Sequence, residues 1–401
     1  MKLLIIADDF TGALDTGVQF AHKGIKTLVA ASSKNIPTKP DCEVLSVNLD
    51  CRHDLPDEAY IKTKSLLESL ADTEYIYLKT DSVLRGNISA GFRAVLDALK
   101  QPVMFVPAYP KMGRTTVGGR QYVNGIPIDE SSFSKDPLNP IKNSFIPEIL
   151  NSNYKISAAV SGLSDEFSVE DEVRIFDCDS QENLEFTADF LAKNNALHLL
   201  AGCAGLAEAM HKHITFNKYQ TDFSPNDNPV LYLSGSAGET TFKQIRKAKK
   251  NITVYKIPPN VKLSPQTAEK EIEQIKNQLY ERLLKGESVI LAAATSQKDL
   301  VEMSDNQHNA LQAVFAEIAE AVLDKGITEN LAIFGGDTAL AIIDRLNISF
   351  VQPISEIHAG IPLSSAKYKG NINLVTKSGG LGDENAVAVI EKYLRRYGES
   401  T

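Results

Sequence analysis

Residues 3–12 read Leu3-Leu4-Ile5-Ile6-Ala7-Asp8-Asp9-Phe10-Thr11-Gly12. The run Leu3–Ala7 is apolar without alternation, the pattern of a strand covered on both faces in a parallel sheet. It stops at two adjacent carboxylates and passes into a helix-like stretch, Gly12–His22. A buried strand feeding a helix is the first step of an α/β domain, and ligands of such sheets bind at the carboxyl ends of the strands. Two neighbouring carboxylates cannot both face the core, so at least one of Asp8 and Asp9 points outward. Asp9 or Thr11 also suits the helix N-cap. Asp9 is read as functional; for Asp8 a structural role fits equally well.

The same step recurs outward. Apolar runs at Thr27–Ala31, Val44–Asn48, Tyr75–Leu78 and Val103–Val106 are separated in several places by helix-like stretches such as Pro56–Ala71. The polar segment Phe216–Pro229 reads as a linker. Beyond it the pattern restarts at Val230–Leu233, Ile252–Ile257, Val289–Ala293, Leu331–Phe334 and Asn373–Val375. A chain of 401 residues is too long for one ordinary core. The sequence therefore predicts two α/β domains, residues 1–220 and 228–401, each with a mostly parallel sheet flanked by helices. The stretch Pro107–Pro140, rich in Gly, Pro, Arg and Thr, is expected to be an irregular functional loop or lid.

Composition narrows the function. Hydrophobic residues make up 43% and charged residues 23%, the mix of a folded globular chain. A net charge of -9 argues against nucleic acid as a general partner, since phosphate backbones require a basic footprint. Local Lys and Arg clusters can still hold a small anion. Cys42, Cys51, Cys178 and Cys203 have no C-x-x-C spacing, so buried thiols in a reducing cytoplasm are expected rather than disulfides or zinc. The first apolar run is too short for a signal peptide, and no run of about eighteen apolar residues follows, so no membrane partner is expected.

The chemistry-bearing residues fall at predicted strand ends. After Tyr75–Leu78 come Lys79, Thr80, Asp81, Ser82, Arg85 and Asn87. A carboxylate-bearing polyol needs this inventory: cations for the acid, carboxylate and amide for the hydroxyls. The plainer reading is a solvated loop with a helix cap at Ser82 or Asn87. Arg52, in Asp50-Cys51-Arg52-His53, is a weaker version of the same pattern. Gly113–Arg120 offers glycines and two arginines that suit phosphate or carboxylate, but it lacks the Gly-Lys-Ser/Thr ending of a Walker loop. In the second half, Ser234-Gly235-Ser236, Gly335-Gly336-Asp337-Thr338 and Ser378–Asp383 each follow a strand. Together they predict a nucleotide-phosphate site built from backbone N–H groups and hydroxyls. Gly380–Asp383 also resembles the Gly-x-Gly-Asp element of ribokinase-type kinases, where the Asp is the base. His211-Lys212-His213 reads as a surface pattern and Cys203 as packing, so no protein-built metal site is predicted.

Several stretches resemble the four-carbon acid sugar kinase family: Ile6–Gly17, Lys79–Asn87, Gly113–Gly125, Asp136–Pro140, Gly335–Thr338 and Thr376–Asp383. They span nearly the whole chain. The resemblance implies an ATP-dependent kinase that phosphorylates the terminal hydroxyl of a four-carbon sugar acid, with D-threonate favoured over D-erythronate and 3-oxo-tetronate. It implies an acid-binding N-terminal domain and an ATP-binding C-terminal domain, with the active site in the interdomain cleft and Mg²⁺ bridging the phosphates. Carried over by position, Asp9, Arg52 and Lys79–Ser82 contact the acid, and Ser236, Gly335–Thr338 and Gly379 or Gly380 contact ATP. Asp337 stands where the family often has Glu. Asp9 is the first candidate to orient or deprotonate the attacking hydroxyl, and Asp383 is its rival. Other readings are a ribokinase-like sugar kinase, resting on Gly380–Asp383 alone, and a non-catalytic sugar-acid sensor. A homodimer is the commonest assembly for such enzymes.

Overall fold

The computed structural model describes residues 1–395 apart from 35, 71–72, 137–138, 163–169 and 221–222. The chain divides into two compact units, Met1–Gln220 and Thr221–Thr401.

Unit one contains strands β1 (Leu3–Ala7), β2 (Thr27–Ala30), β3 (Val44–Asn48), β4 (Tyr75–Lys79), β5 (Val103–Val106), β6 (Arg114–Val117), β7 (Arg120–Val123), β8 (Ile126–Pro127), β9 (Ala158–Ser161), β10 (Val173–Phe176) and β11 (Leu199–Gly202). Its helices are α1 (Phe10–Ala21), α2 (Pro56–Ser69), α3 (Ile88–Leu99), α4 (Ile146–Leu150), α5 (Gln181–Lys193) and α6 (Ala204–Met210). The main sheet runs β2-β3-β1-β4-β11-β5-β10-β9, with every pair parallel. All of β1 is buried, as its unbroken apolar run requires. Phe20, Tyr77, Phe176 and Leu206 pack into the core around it. Each such side chain contributes roughly 1.5–3 kcal/mol on burial. The parallel register aligns Ala7 with both Asn48 and Lys79, so the loops after β1, β3 and β4 emerge side by side.

The 107–140 stretch departs from expectation. Instead of an irregular loop it contains a small antiparallel sheet, β6-β7-β8. Gly118 and Gly119 take φ of 58° and 69°, the paired positive values of a type I′ hairpin turn. The flanking strands carry Thr, Val and Tyr, which suit a pleated surface. Within the Asp136–Pro140 motif, residues 137 and 138 lie outside the described residues, as does residue 71 beyond α2.

Unit two contains β12 (Val230–Ser234), β13 (Thr253–Lys256), β14 (Val289–Ala292), β15 (Asn330–Phe334), β16 (Phe350–His358), β17 (Ile361–Lys367) and β18 (Asn371–Lys377). The helices are α7 (Glu239–Ala248), α8 (Pro259–Leu263), α9 (Glu269–Leu283), α10 (Asp305–Asp324), α11 (Gly336–Arg345) and α12 (Ala386–Leu394). Its sheet runs β13-β14-β12-β15-β18-β17-β16, parallel as far as β18 and antiparallel beyond. The sequence pattern shows neither β16 nor β17. In β16 the apolar alternation is broken by Pro353, beside a register shift in the ladder, where a strand tolerates proline. The polar segment read as a linker is tied at both ends. The Tyr219 N–H donates to Gly24 in unit one, and the Asn226 amide donates to Glu329 in unit two. No described helix is long and apolar enough to cross a membrane.

Candidate functional site

In unit one the three adjacent strand ends build a charged lattice. Asp9 N-caps α1, its Oδ1 accepting the Gly12 N–H at 2.8 Å, while Oδ2 accepts from Thr11 at 2.8 Å. Arg52, from the loop after β3, donates Nε and Nη2 to Asp8 at 2.7 and 2.8 Å, and Nη1 to Asp9 at 2.7 Å. Burial pushes the Asp9 carboxyl up, but Arg52, Lys79 and the Thr11 hydroxyl outweigh it and hold the group below its ordinary value. The carboxylate is therefore ionised and weakly basic.

The loop after β4 repeats the arrangement. Asp81 accepts from Arg85 Nε at 3.0 Å and Nη2 at 2.9 Å, and Arg85 reaches Asp136 at 3.1 Å. Burial raises the Asp81 carboxyl, yet Arg85, Arg52 and Lys79 together bring it well below the carboxylate range. Asp81 also accepts the Val83 and Arg85 N–H groups, so it orders its own loop. Leu84 there holds φ of 61°, a strained value for a leucine. The buried Lys79 ammonium donates to the Thr80 carbonyl at 2.9 Å. Asn87 braces the Arg52 loop by donating to Cys51 and Asp54 carbonyls, both at 2.9 Å. The Thr80 hydroxyl is buried without a partner and lines a cavity of about 30 Å³ shared with Asp8, Lys79 and Asn87.

The hairpin separates the two arginines of Gly113–Arg120. Cross-strand pairing puts Arg114, Thr116, Gln121 and Val123 on one face, and Val117 and Arg120 on the other. The first face is buried: Gln121 is 0% exposed, bonded to Thr116, and donates to the Ser82 carbonyl at 3.0 Å. Arg114 therefore lies on the Ser82 side. Its guanidinium donates to the Met112 carbonyl, and its buried Nε has no partner. Burial depresses this guanidinium, with Asp81 acting in the opposite direction. Arg120 is turned away onto Ser144 and the Phe145 ring. The turn amides of Gly118 and Gly119 are already taken by Asp177, at 2.6 and 2.9 Å. Gln121 and Asp177 escaped the sequence reading. An amide alternating with Thr in a hairpin was the available signal for Gln121.

In unit two the loops after β12, β15 and β18 interlock. Gly335 has φ of 126°, open only to glycine in practice, and its N–H bonds to Lys377. At Gly379 a Cβ would lie 2.7 Å from the Ser236 hydroxyl, so a larger residue there would push Ser236 out of this arrangement. Ser236 Oγ lies 3.0 Å from Thr241 Oγ1, which donates to the Gly379 carbonyl at 3.1 Å. Thr338 is occupied by Gln312 at 2.7 Å, whereas Gly336 and the exposed Asp337 open α11. Asp383 accepts the Asn385 N–H at 2.8 Å, a local turn contact. A larger groove of about 480 Å³ shares no residue with these loops; its Glu273 and Glu317 both pair with Lys276, and Arg345 also lines it. Among the described residues no cluster of three His, Cys, Asp or Glu could hold a metal. His213 pairs with Asp189.

Two domain families match the chain: a sugar-binding N-terminal domain over residues 3–210 and a nucleotide-binding C-terminal domain over residues 231–387. A D-threonate kinase of Salmonella typhimurium is 28% identical, aligned over 96% of this chain and 97% of its own. A D-erythronate kinase of Heliobacterium modesticaldum is 25% identical over 98% and 97%, and a 3-oxo-tetronate kinase of Haemophilus influenzae is 25% identical over 95% and 97%. A solved structure of a Salmonella typhimurium LT2 protein, named as a candidate tRNA synthase, superposes with a TM-score of 0.82 at 22% identity, covering 98% of this chain and 99% of that one. That likeness is one of fold alone. The two matched domains thus make this chain a phosphotransferase with a sugar-binding and a nucleotide-binding half. The chain belongs to the four-carbon acid sugar kinase family.

Proposed function

We propose that this phosphotransferase moves the γ-phosphoryl group of ATP to the terminal hydroxyl of D-threonate, giving the 4-phosphate. D-Erythronate and 3-oxo-tetronate are the alternatives, each the named substrate of a 25% identical relative, against 28% for the D-threonate kinase. The observation that carries the reading is the lattice at the ends of β1, β3 and β4. It holds ionised Asp9 beside two aspartate-paired guanidiniums, with Arg114 left without a carboxylate partner among the described residues.

The roles follow from what each group has left to offer. Arg52 keeps one N–H on Nη1 beyond its aspartate contacts, Nη2 standing between Asp8 and Asp81, and with Lys79 and Arg114 it supplies positive charge for the acid's carboxylate. The Ser82 and Thr80 hydroxyls are the uncommitted partners for the carbinol groups. Asp81 orders its loop and Arg85. Asp9 orients the attacking hydroxyl; so ionised a carboxylate is a poor proton acceptor, and phosphoryl transfer depends on positioning and charge neutralisation more than on a strong base. In unit two, Ser236, Gly335–Thr338 and the Gly379–Gly380 amides hold the nucleotide. Mg²⁺, when bound with the nucleotide, would supply charge neutralisation on the phosphates, and Asp337 is the acidic residue that the Gly335–Thr338 loop could offer it. The four cysteines are buried free thiols, which fits a reducing cytoplasm.

Calorimetric titration with D-threonate and with ADP tests the reading. Binding of both supports it. Binding of the acid without any nucleotide would instead describe a sugar-acid sensor.

A further inference from the structure

Lys377 closes β18 with its side chain 1% exposed. Its ammonium donates to the carbonyls of Ser378 at 2.9 Å and Gly379 at 3.3 Å, and to Thr241 Oγ1 at 3.3 Å. It lies 4.9 Å from the centre of the Phe334 ring. Lys79, which ends β4 in the same way, stands in the field of Asp9 and Asp81. Among the described residues no charged group acts on Lys377, and a buried ammonium without a counter-charge is costly. Its contacts also have a direction. In a trans peptide the C=O and the following N–H point opposite ways. With the Ser378 and Gly379 carbonyls turned in to the ammonium, the N–H groups of Gly379 and Gly380 are turned out. Neither amide has an acceptor among the described residues.

We propose that Lys377 is a positioning residue for the polyphosphate of the nucleotide: it holds two carbonyls inward so that the Gly379 and Gly380 amides form an anion cradle, and a bound phosphate supplies its missing counter-charge. This rests on the reading of unit two as the nucleotide site. Thr241 links the device to Ser236, because its proton goes to the Gly379 carbonyl and Ser236 then donates to it. The elements packed on the ammonium present Thr241 from α7 and Phe334 from β15, neither a titrating group. Burial alone lowers Lys377 to about 7. A bound anion favours the charged form, so nucleotide binding above pH 7 takes up a proton, and affinity falls as pH rises.

The test is calorimetric titration of the full chain with ADP at pH 8, in buffers of different ionisation enthalpy, beside Lys377→Met. The terminal phosphate of ADP is itself largely ionised at that pH. The wild type is expected to take up nearly one proton per nucleotide. Lys377→Met is expected to weaken ADP by about tenfold or more, while its melting temperature without ligand stays level or rises. A merely structural strut would do the reverse, lowering the melting temperature and leaving ADP affinity within about twofold. That result, or a wild type that takes up no proton, overturns the proposal, and the wild-type measurement decides if the variant does not fold. A wild type that binds D-threonate but no ADP overturns the nucleotide reading and this proposal with it.

Discussion

Arg52 grips Asp8 with two hydrogen bonds, Nε to Oδ2 at 2.7 Å and Nη2 to Oδ1 at 2.8 Å, and holds Asp9 with its remaining nitrogen. One planar cation thus ties the loop after β3 to the end of β1. Lysine carries the charge but cannot reproduce the fork. Arg52→Lys is expected to keep the fold and lower kcat/KM by about a hundredfold, roughly 2.7 kcal/mol at 1.36 per factor of ten. Arg52→Ala leaves buried carboxylates uncompensated and is expected to cost about 3–5 kcal/mol in urea unfolding. A near-normal urea midpoint for Arg52→Ala would show that the lattice contributes little.

The lowered carboxyls of Asp9 and Asp81 fix the sign of the acid response. A carboxyl depressed in the folded state adds stability above its unfolded value, near 4, and loses it as pH falls through the folded value. Thermal stability is therefore expected to be insensitive to these groups from pH 8 down to about 5 and to fall below about pH 4. Asp9→Asn is expected to lower kcat without moving the pH optimum. An acid limb near pH 6 in the wild type that vanishes in this variant would make Asp9 a base after all.

Arg114 and Arg120 lie six positions apart in sequence yet on opposite faces of one hairpin. Arg114→Ala is expected to raise KM for the acid by about ten- to a hundredfold, since a charge-assisted contact is worth about 1.5–3 kcal/mol. Arg120→Ala, on the Phe145 side, is expected to leave KM within about threefold. Equal effects from both variants would contradict the assigned faces.

Gln121 hooks the hairpin to the loop that carries Ser82. Its truncation leaves the buried Thr116 hydroxyl and Ser82 carbonyl without their partner, a cost of about 1–3 kcal/mol. Gln121→Ala is thus expected to unfold at lower urea and to raise KM for the acid more than for ATP. Unchanged KM for both substrates would confine Gln121 to stability.

Much of this was legible in the residues. Leu3–Ala7, Val103–Val106 and Val230–Leu233 declare buried parallel strands because nothing polar interrupts them. The Lys79–Asn87 loop declares itself by its mixed chemistry beside such a strand. What stayed hidden depends on long-range placement. The face of Arg114 is fixed by the pairing across Gly118–Gly119, and one residue of slip would exchange it with its neighbours. Nothing in the residues says that the sheet buries Lys377, or that Gln121 faces the Ser82 carbonyl. Asp8 read as structural or functional alike because its partner, Arg52, is 44 residues away.

The central claim is phosphoryl transfer to a four-carbon acid. Its most direct test is ADP release from ATP and Mg²⁺ with D- and L-threonate, D- and L-erythronate, 3-oxo-tetronates and neutral tetroses as acceptors. The expected result is strong turnover on one acid, D-threonate first, and none on the neutral sugars. Silence on every acid, or equal turnover on a neutral tetrose, would contradict it.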